Sequence, residues 1–341
     1  MNGFYTNKKI LIIGGTGTIG QSLLQHILQD SPTVVRVFSR DEYKQFQLQQ
    51  HYREYDNIRF LIGDVRDYDR VERAMQDIDY VFHTAAMKHV PSCEYNPFEA
   101  VQTNILGTQN VIQAALASNV RKVVFTSTDK AISPSNTYGA SKLMAERLVA
   151  AAQYQAGSKS TVFAAVRFGN VMGSRGSVIP LFQWQIQERG RLTVTSKKMT
   201  RFMMSLRQAT ELTSRAMQIA NGGEIFVLKM PIVSLMDLVD IVIEDAKEHF
   251  NLSDEVIIDE IGVRPGEKMY EELMTEEESL HAYETDDMFI LPNTFVNTSI
   301  SYTNARKAKQ QSYSSHGGLL ISRESLKKLL HDENLLLSKK R

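Results

Sequence analysis

The stretch STDKAISPSNTYGASK, Ser127 to Lys142, gathers four titratable side chains: Asp129, Lys130, Tyr138 and Lys142. Tyr138 and Lys142 are four residues apart, which puts them on one face of a helix. A lysine beside a tyrosine lowers the phenol's pKa, so that phenolate serves as a base near neutral pH. Removing a proton from a sugar or alcohol hydroxyl while a hydride leaves the same carbon needs such a base. Asp129 and Lys130 stand just upstream, with Thr128 beside them to orient a hydroxyl or to satisfy a turn. Their ordinary reading is a solvated ion pair at a strand end. Which reading holds depends on the elements that carry them.

Those elements alternate. KKILIIGG, VVRVFS, IRFLIGD, DYVFHTAA, RKVVFTST and TVFAAVRFGN read as six short apolar strands. Between them IGQSLLQHILQ, DEYKQFQLQQHY, DYDRVERAMQ, the long NPFEAVQTNILGTQNVIQAALAS and NTYGASKLMAERLVAAAQYQ read as helices. This alternation predicts a parallel sheet with helices on both faces, with ligands outside the carboxyl ends of its strands. The fifth strand then delivers Thr128, Asp129 and Lys130 to that edge, and a turn through Pro134 and Asn136 leads to Tyr138. Later, RQATELTSRAMQIA and GEIFVLKM read as a helix and strand returning to the sheet. VSLMDLVDIVIEDAKEHF reads as an amphipathic helix, about 283–318 as an extended polar arm, and SRESLKKLLHDENLLL as a closing helix capped by Ser322.

Gly14, Gly17 and Gly20 form G-x-x-G-x-x-G between the first strand and the first helix, where backbone amides approach a pyrophosphate. The alternative is a glycine turn without a ligand. A site selective for NAD usually ends its second strand with a carboxylate on the ribose hydroxyls. Ser39 and Arg40 stand there instead, and a guanidinium pairs well with a 2′-phosphate, so NADP is expected ahead of NAD. Asp41 follows one position later, and Lys44 adds a second cation one turn into the helix. Asp64 is placed to accept from the adenine amino group, or is a turn residue. Thr16, Thr18 and Ile19 in the loop, Val65, and Ala85, Ala86 and Lys88 after the fourth strand complete the expected cofactor contacts, with Tyr138 and Lys142.

Lys88 also faces the expected substrate space, as does Asn170 at the end of the sixth strand. GSVIPLF opens a helix at Val178 whose amides suit a diphosphate. Arg201 and Arg264 are cations in turn-like sequence, and paired arginines suit a diphosphate as well. The composition argues against other classes. Lys plus Arg (39) equal Asp plus Glu (39) in 341 residues, so no global field draws the chain to nucleic acid. The one cysteine, Cys93, fits a reducing compartment, and no apolar run is long enough to span a membrane, so a cytoplasmic protein is expected. No metal site is expected.

The glycine loop with Tyr-x-x-x-Lys resembles the extended short-chain dehydrogenase/reductase family. FSRDEYKQ, AAMKHVPSCEYNPFEAVQTNILGT, STDKAISPSNTYGASK, RFGNVMGSRGSVIPLF, MTRFMMSL and RPGEKMYEEL narrow the likeness to the soluble UDP-N-acetylglucosamine 4,6-dehydratases, over nearly the whole chain to about Leu273. The resemblance implies a Rossmann-type doubly wound α/β domain over 1–170, with 204–230 returning to it. It implies a smaller, interleaved UDP-sugar domain over 171–203 and 231–341. Tyr138, helped by Lys142, would take the proton of the sugar's 4-hydroxyl as NADP accepts hydride from C4. Lys130 would remove the C5 proton, Asp129 would protonate the departing 6-hydroxyl, and hydride would return to C6. Arg264 and Glu267 would contact the phosphate–ribose end of UDP. Branches that retain configuration at C5 commonly have Met where this chain has Tyr138, so inversion is expected. The resemblance also suggests a homo-oligomer, a dimer or a hexamer. A UDP-sugar 4-epimerase needs the Tyr–Lys pair but not Asp–Lys. A non-catalytic NADP-binding sensor or scaffold would usually have lost Tyr138 or Lys142, and both are present.

Overall fold

The apolar run KILII forms β1 (Lys9–Ile13), with Ile10 to Ile13 buried because helices cover both faces of the sheet. The chain continues through α1 (Thr18–Leu28), β2 (Val34–Ser39), α2 (Glu42–His51), β3 (Ile58–Ile62), α3 (Tyr68–Met75) and β4 (Tyr80–His83). Then come α4 (Val90–Tyr95), α5 (Pro97–Ala100), α6 (Gly107–Ala117), β5 (Lys122–Thr126), α7 (Thr137–Gln155) and β6 (Val162–Arg167). This computed structural model describes residues 3–157, 160–174, 176–295 and 302–337.

The long helix expected after β4 runs unbroken over 97–117, with a π-helical stretch inside it. Pro97 starts α5, and Val101–Leu106 are π-helical before α6 resumes. The wider turn brings Asn104 inward, where its Nδ2 donates to Met87 O (3.0 Å) and to Ser141 Oγ (2.9 Å). Its Oδ1 accepts from Met87 N (2.8 Å), so this one residue ties the loop after β4 to α7.

The second half holds β7 (Asn170–Val171), α8 (Val178–Arg189), β8 (Arg191–Val194), β9 (Thr200–Met204), α9 (Leu206–Ile219), β10 (Ile225–Leu228), β11 (Ile232–Ser234) and α10 (Leu235–Phe250). It ends with β12 (Ile257–Glu260), β13 (Glu272–Met274), α11 (Glu276–Ser279), β14 (Tyr283–Glu284), β15 (Met288–Leu291), β16 (Arg306–Lys307), β17 (Tyr313–Ser314) and α12 (Arg323–Asp332). The central sheet runs β16-β14-β15-β10-β6-β5-β4-β1-β2-β3. From β3 across to β10 every neighbouring pair is parallel. The fold is a doubly wound α/β sheet, and its order reverses between β1 and β4, the crevice where such sheets bind ligands.

The expected polar arm is in part a sheet extension. The apolar run MFIL of β15 pairs antiparallel with β10, and β14 and β16 continue outward. Residues 296–301 of that arm lie outside the described residues. The buried side chains separate into two clusters, one around the sheet and one joining α8, α10, α12, β8 and β9. Leu273, Met274, Met288 to Leu291 and Tyr302 pack into the sheet's cluster, so a boundary at 231 assigns too much to the smaller unit. Short strands with few residues lack the periodicity that would reveal this.

Candidate active site

β5 ends at Thr126, and the chain turns through a single 3₁₀ turn over Asp129–Ala131. Thr128 Oγ1 donates to Asp129 Oδ1 (2.9 Å), and Lys130 Nζ donates to the same oxygen (3.1 Å). Asn136 caps α7 by accepting from Gly139 N (2.7 Å), which starts the helix just before Tyr138. A Cβ at Gly139 would lie 2.1 Å from Lys130 O, so glycine alone lets α7 press against the Asp129–Lys130 turn. The Thr128 hydroxyl lies beside the Tyr138 phenol and lowers its pKa, so the two expected groups of residues meet there.

Lys142 is buried, donates to Thr126 O (2.5 Å) and lies 3.9 Å over the Phe125 ring. Burial lowers its pKa to about 7, against the pull of Glu146. Burial raises the Tyr138 phenol to about 12, and the groups that pull it down are Lys130 and the Thr128 hydroxyl. The expected lowering by Lys142 is therefore corrected: the cation acting on the phenol is Lys130. The cause is geometric, since the Lys142 ammonium is turned to a carbonyl at the end of β5.

Lys130 and Tyr138 open into a cleft of about 770 Å³ that runs from Gly17, Thr18, Ile19 and Gly20 to Arg264 and Glu267. Lys88, Ala86, Asn170, Val178 and Arg201 also line it. At the glycine end Gly14 has φ +83°, and a Cβ there would meet Ala85 N at 2.7 Å. The α1 N-terminus at Gly17 has no side-chain cap, and Ser127 Oγ, buried at the cleft, has no hydrogen-bond partner among the described residues. This cradle fits a dinucleotide, with its pyrophosphate over α1 and a polar group near Ser127.

The residues expected around the adenosine are mostly engaged with one another. Ser39 accepts from Gln45 Nε2 at both its carbonyl and its hydroxyl (3.0 Å each). Asp41 caps α2 and pairs with Lys44. Arg40 is exposed and pairs with Asp64 at 3.5 Å. Asp64 also accepts from Arg66 Nη2 (2.8 Å). Burial works to raise its carboxyl, but Arg66 and Arg40 outweigh it and hold it below the usual range. Val65 is buried, and its carbonyl accepts from Asn110 (3.1 Å). Thr16 is buried in the loop.

At the other end Arg201 is buried rather than a surface charge. It donates to the carbonyls of Thr200 (2.8 Å), Lys268 (2.7 Å) and Met269 (3.2 Å) and faces Glu267 at 3.7 Å. Asn136 Nδ2 donates to Gly266 O (2.8 Å), and Lys268 Nζ donates to Ile132 O (2.9 Å), so the Arg264–Lys268 turn is tied to the loop before Tyr138. Ser177 at the start of α8 keeps a buried Oγ without a partner among the described residues. Sequence reasoning did not single out Ser127, Asn104, Ser177 or Glu271. Glu271 lies inside RPGEKMYEEL, but nothing local signals that it is buried with Oε1 at 3.4 Å from Lys130 Nζ.

The family described as polysaccharide biosynthesis protein matches residues 10–293. The chain belongs to this family. Among family relatives, one of 45% identity over 98% of this chain and 99% of its own is named an uncharacterized membrane protein of Methanocaldococcus jannaschii. An inverting UDP-N-acetylglucosamine 4,6-dehydratase of Campylobacter jejuni is 41% identical over 84% of this chain and 83% of its own. A UDP-glucose 4-epimerase of Rickettsia rickettsii is 39% identical over 96% of both. The X-ray structure of Pen from Bacillus thuringiensis superposes with a TM-score of 0.92 at 59% identity, covering 98% of this chain and all of that one. Among the described residues no helix is long and apolar enough to cross a membrane.

Proposed function

We propose that the protein is an NADP-dependent UDP-N-acetylglucosamine 4,6-dehydratase that inverts C5. The observation that carries this reading is the junction of Asp129–Lys130 with Tyr138 beside Thr128 at one cleft. A nicotinamide dinucleotide bound on the glycine loop would supply hydride acceptance at C4 and hydride return at C6. Tyr138 takes the proton of the 4-hydroxyl, with Lys130 and the Thr128 hydroxyl acting on its phenol. Once C4 is a ketone, the C5 proton becomes acidic, and Lys130 is the amine placed to remove it. Asp129 gives a proton to the departing 6-hydroxyl. Inversion needs a proton delivered to the opposite face of C5, and Tyr138, protonated by the first step, is the donor. Ser177 with the α8 N-terminus and Arg264 hold the diphosphate, whereas the Arg201 guanidinium is engaged by carbonyls and by Glu267 and Glu271.

The 96% span shared with a relative named UDP-glucose 4-epimerase supports a second reading, epimerisation at C4 without loss of water. Purified protein with UDP-N-acetylglucosamine in deuterated water separates the two by NMR. A 4-keto product with a C6 methyl group, deuterium at C5 and the L-arabino configuration from the first time points is the expected outcome. A C4 epimer with C6 still hydroxylated would replace the dehydratase reading with the epimerase one. An early D-xylo product would place the chain with the retaining enzymes.

A further inference from the structure

Lys130 Nζ sits between two carboxylates, Asp129 Oδ1 at 3.1 Å and Glu271 Oε1 at 3.4 Å, with Asn170 Oδ1 at 3.5 Å. Asp129 Oδ2 and Glu271 Oε2 are buried without a hydrogen-bond partner among the described residues. The other charged and titratable groups facing the cluster are Arg201 from β9, 3.8 Å from Glu271, and Tyr138 from α7. Glu267 Oε1 faces Arg201 and accepts from Thr195 while its Oε2 is buried without a partner among the described residues, and the Lys268 ammonium is turned to the Ile132 and Ser133 carbonyls. Three carboxylates, Asp129, Glu271 and Glu267, thus face two cations, Lys130 and Arg201. Loss of the Lys130 proton would add a further uncompensated charge in a largely buried place.

Glu271 is held there from a distance. Its N–H donates to Ser315 Oγ (2.9 Å), Ser315 N–H donates to Glu271 O (2.8 Å), and Thr200 Oγ1 donates to Ser315 O (2.9 Å). Ser315 is buried and lies beyond residue 293, where the family match ends.

We propose that Glu271 is a positioning residue whose charge keeps one shared proton on the Asp129–Lys130 pair, so that the pair serves as acid and base in the same turnover. This rests on the dehydratase reading. The proton passes from Lys130 Nζ to Asp129, leaving a free amine and a carboxylic acid. The amine takes the C5 proton, the C5–H electrons form the C5=C6 bond, the C6–O bond breaks, and the Asp129 proton leaves with the hydroxyl as water. Ammonium and carboxylate are restored, and no proton is drawn from solvent. Burial works against charge on Lys130, but Asp129 and Glu271 outweigh it and hold its pKa above lysine's usual range; burial and the Asp129 charge in turn push the Glu271 carboxyl up, while Lys130 and Arg201 pull it down. Without the Glu271 charge the ammonium would give up its proton at lower pH, and the pair would then lack an acid for the 6-hydroxyl.

The test combines two readouts on wild type, Glu271→Gln and Glu271→Asp. One is the titration of Lys130 by nitrogen NMR of lysine-labelled protein, its signal identified with Lys130→Arg. The other is the pH profile of water loss from UDP-N-acetylglucosamine. Glu271→Gln should lower the Lys130 midpoint by about one unit or more and bring the alkaline limb of water loss down with it. Glu271→Asp should restore part of both. If Glu271→Gln does not fold, Ser315→Ala should give a smaller shift in the same direction. An unmoved Lys130 titration, with activity reduced equally at every pH, would overturn the proposal and leave the dehydratase reading standing. A shifted Lys130 in a protein whose wild type releases no water would retire the reading and keep the charge control.

Discussion

Burial works against the charge on the Lys142 amine, and Glu146 offsets this only in part. The amine's folded pKa of about 7 lies below the roughly 10.4 of a free lysine, so the unfolded chain binds more protons between those values. Stability should therefore rise with pH across that window. Lys142→Met should flatten this rise and stabilise the fold at pH 7 by about 1 kcal/mol, a few degrees in melting temperature, while abolishing turnover. Thermal melts at pH 7 and pH 9 with an activity assay check it. A lower melting temperature for the variant at both pH values would show that the bond to Thr126 O outweighs the burial of charge. Cofactor choice belongs to this scale too. Arg40 is 57% exposed at its side chain, so replacing it disturbs little of the fold. Arg40→Asp should weaken NADP at least tenfold more than NAD in calorimetry, and an equal loss of both would remove Arg40 as the 2′-phosphate contact.

At the scale of elements, α7 carries Tyr138 and Lys142, and a buried ion cluster fixes it to its neighbours. Arg167, 0% exposed on β6, donates to Glu146 on α7, to Glu278 on α11 (2.9 Å) and to Leu273 O (2.8 Å). Glu146→Gln leaves part of that charge unanswered and should cost roughly 3 kcal/mol in urea unfolding. A cost of only about a few tenths of a kcal/mol would mean that Glu278 alone satisfies the guanidinium. The strands from β1 to β6 were legible in the sequence because each is a short apolar run closed by turn residues. The Tyr138–Lys142 helix was legible because Asn136 announces its start. The π-helical turn was not, since Val101–Leu106 keep an ordinary helical pattern and differ only in which carbonyl each amide reaches. Glu271 was hidden for a similar reason: its burial comes from Ser315 and Thr200, far away in sequence.

Across the whole molecule, the last described segment finishes what the sheet begins. Tyr302 donates to Glu224 (3.1 Å), Tyr313 to Met230 O (3.0 Å), and Leu326 and Leu330 fill the second core. A chain cut before Tyr302 should lose water-releasing activity entirely and unfold in a broader, earlier transition by circular dichroism. Full activity in that truncated chain would show that Ser315 and α12 are dispensable. Synthesis from the amino terminus gives this layout a timing. Tyr138 and Lys142 leave the ribosome roughly 170 residues before Ser315, on the order of ten to thirty seconds at usual elongation rates. During that interval a growing chain holds its glycine loop and its phenol. For most of it Glu271 has not yet been made, and once made it waits a further 44 residues for the Ser315 that holds it beside Lys130. A nascent chain can thus gain from cofactor as a folding aid before its proton chemistry is assembled.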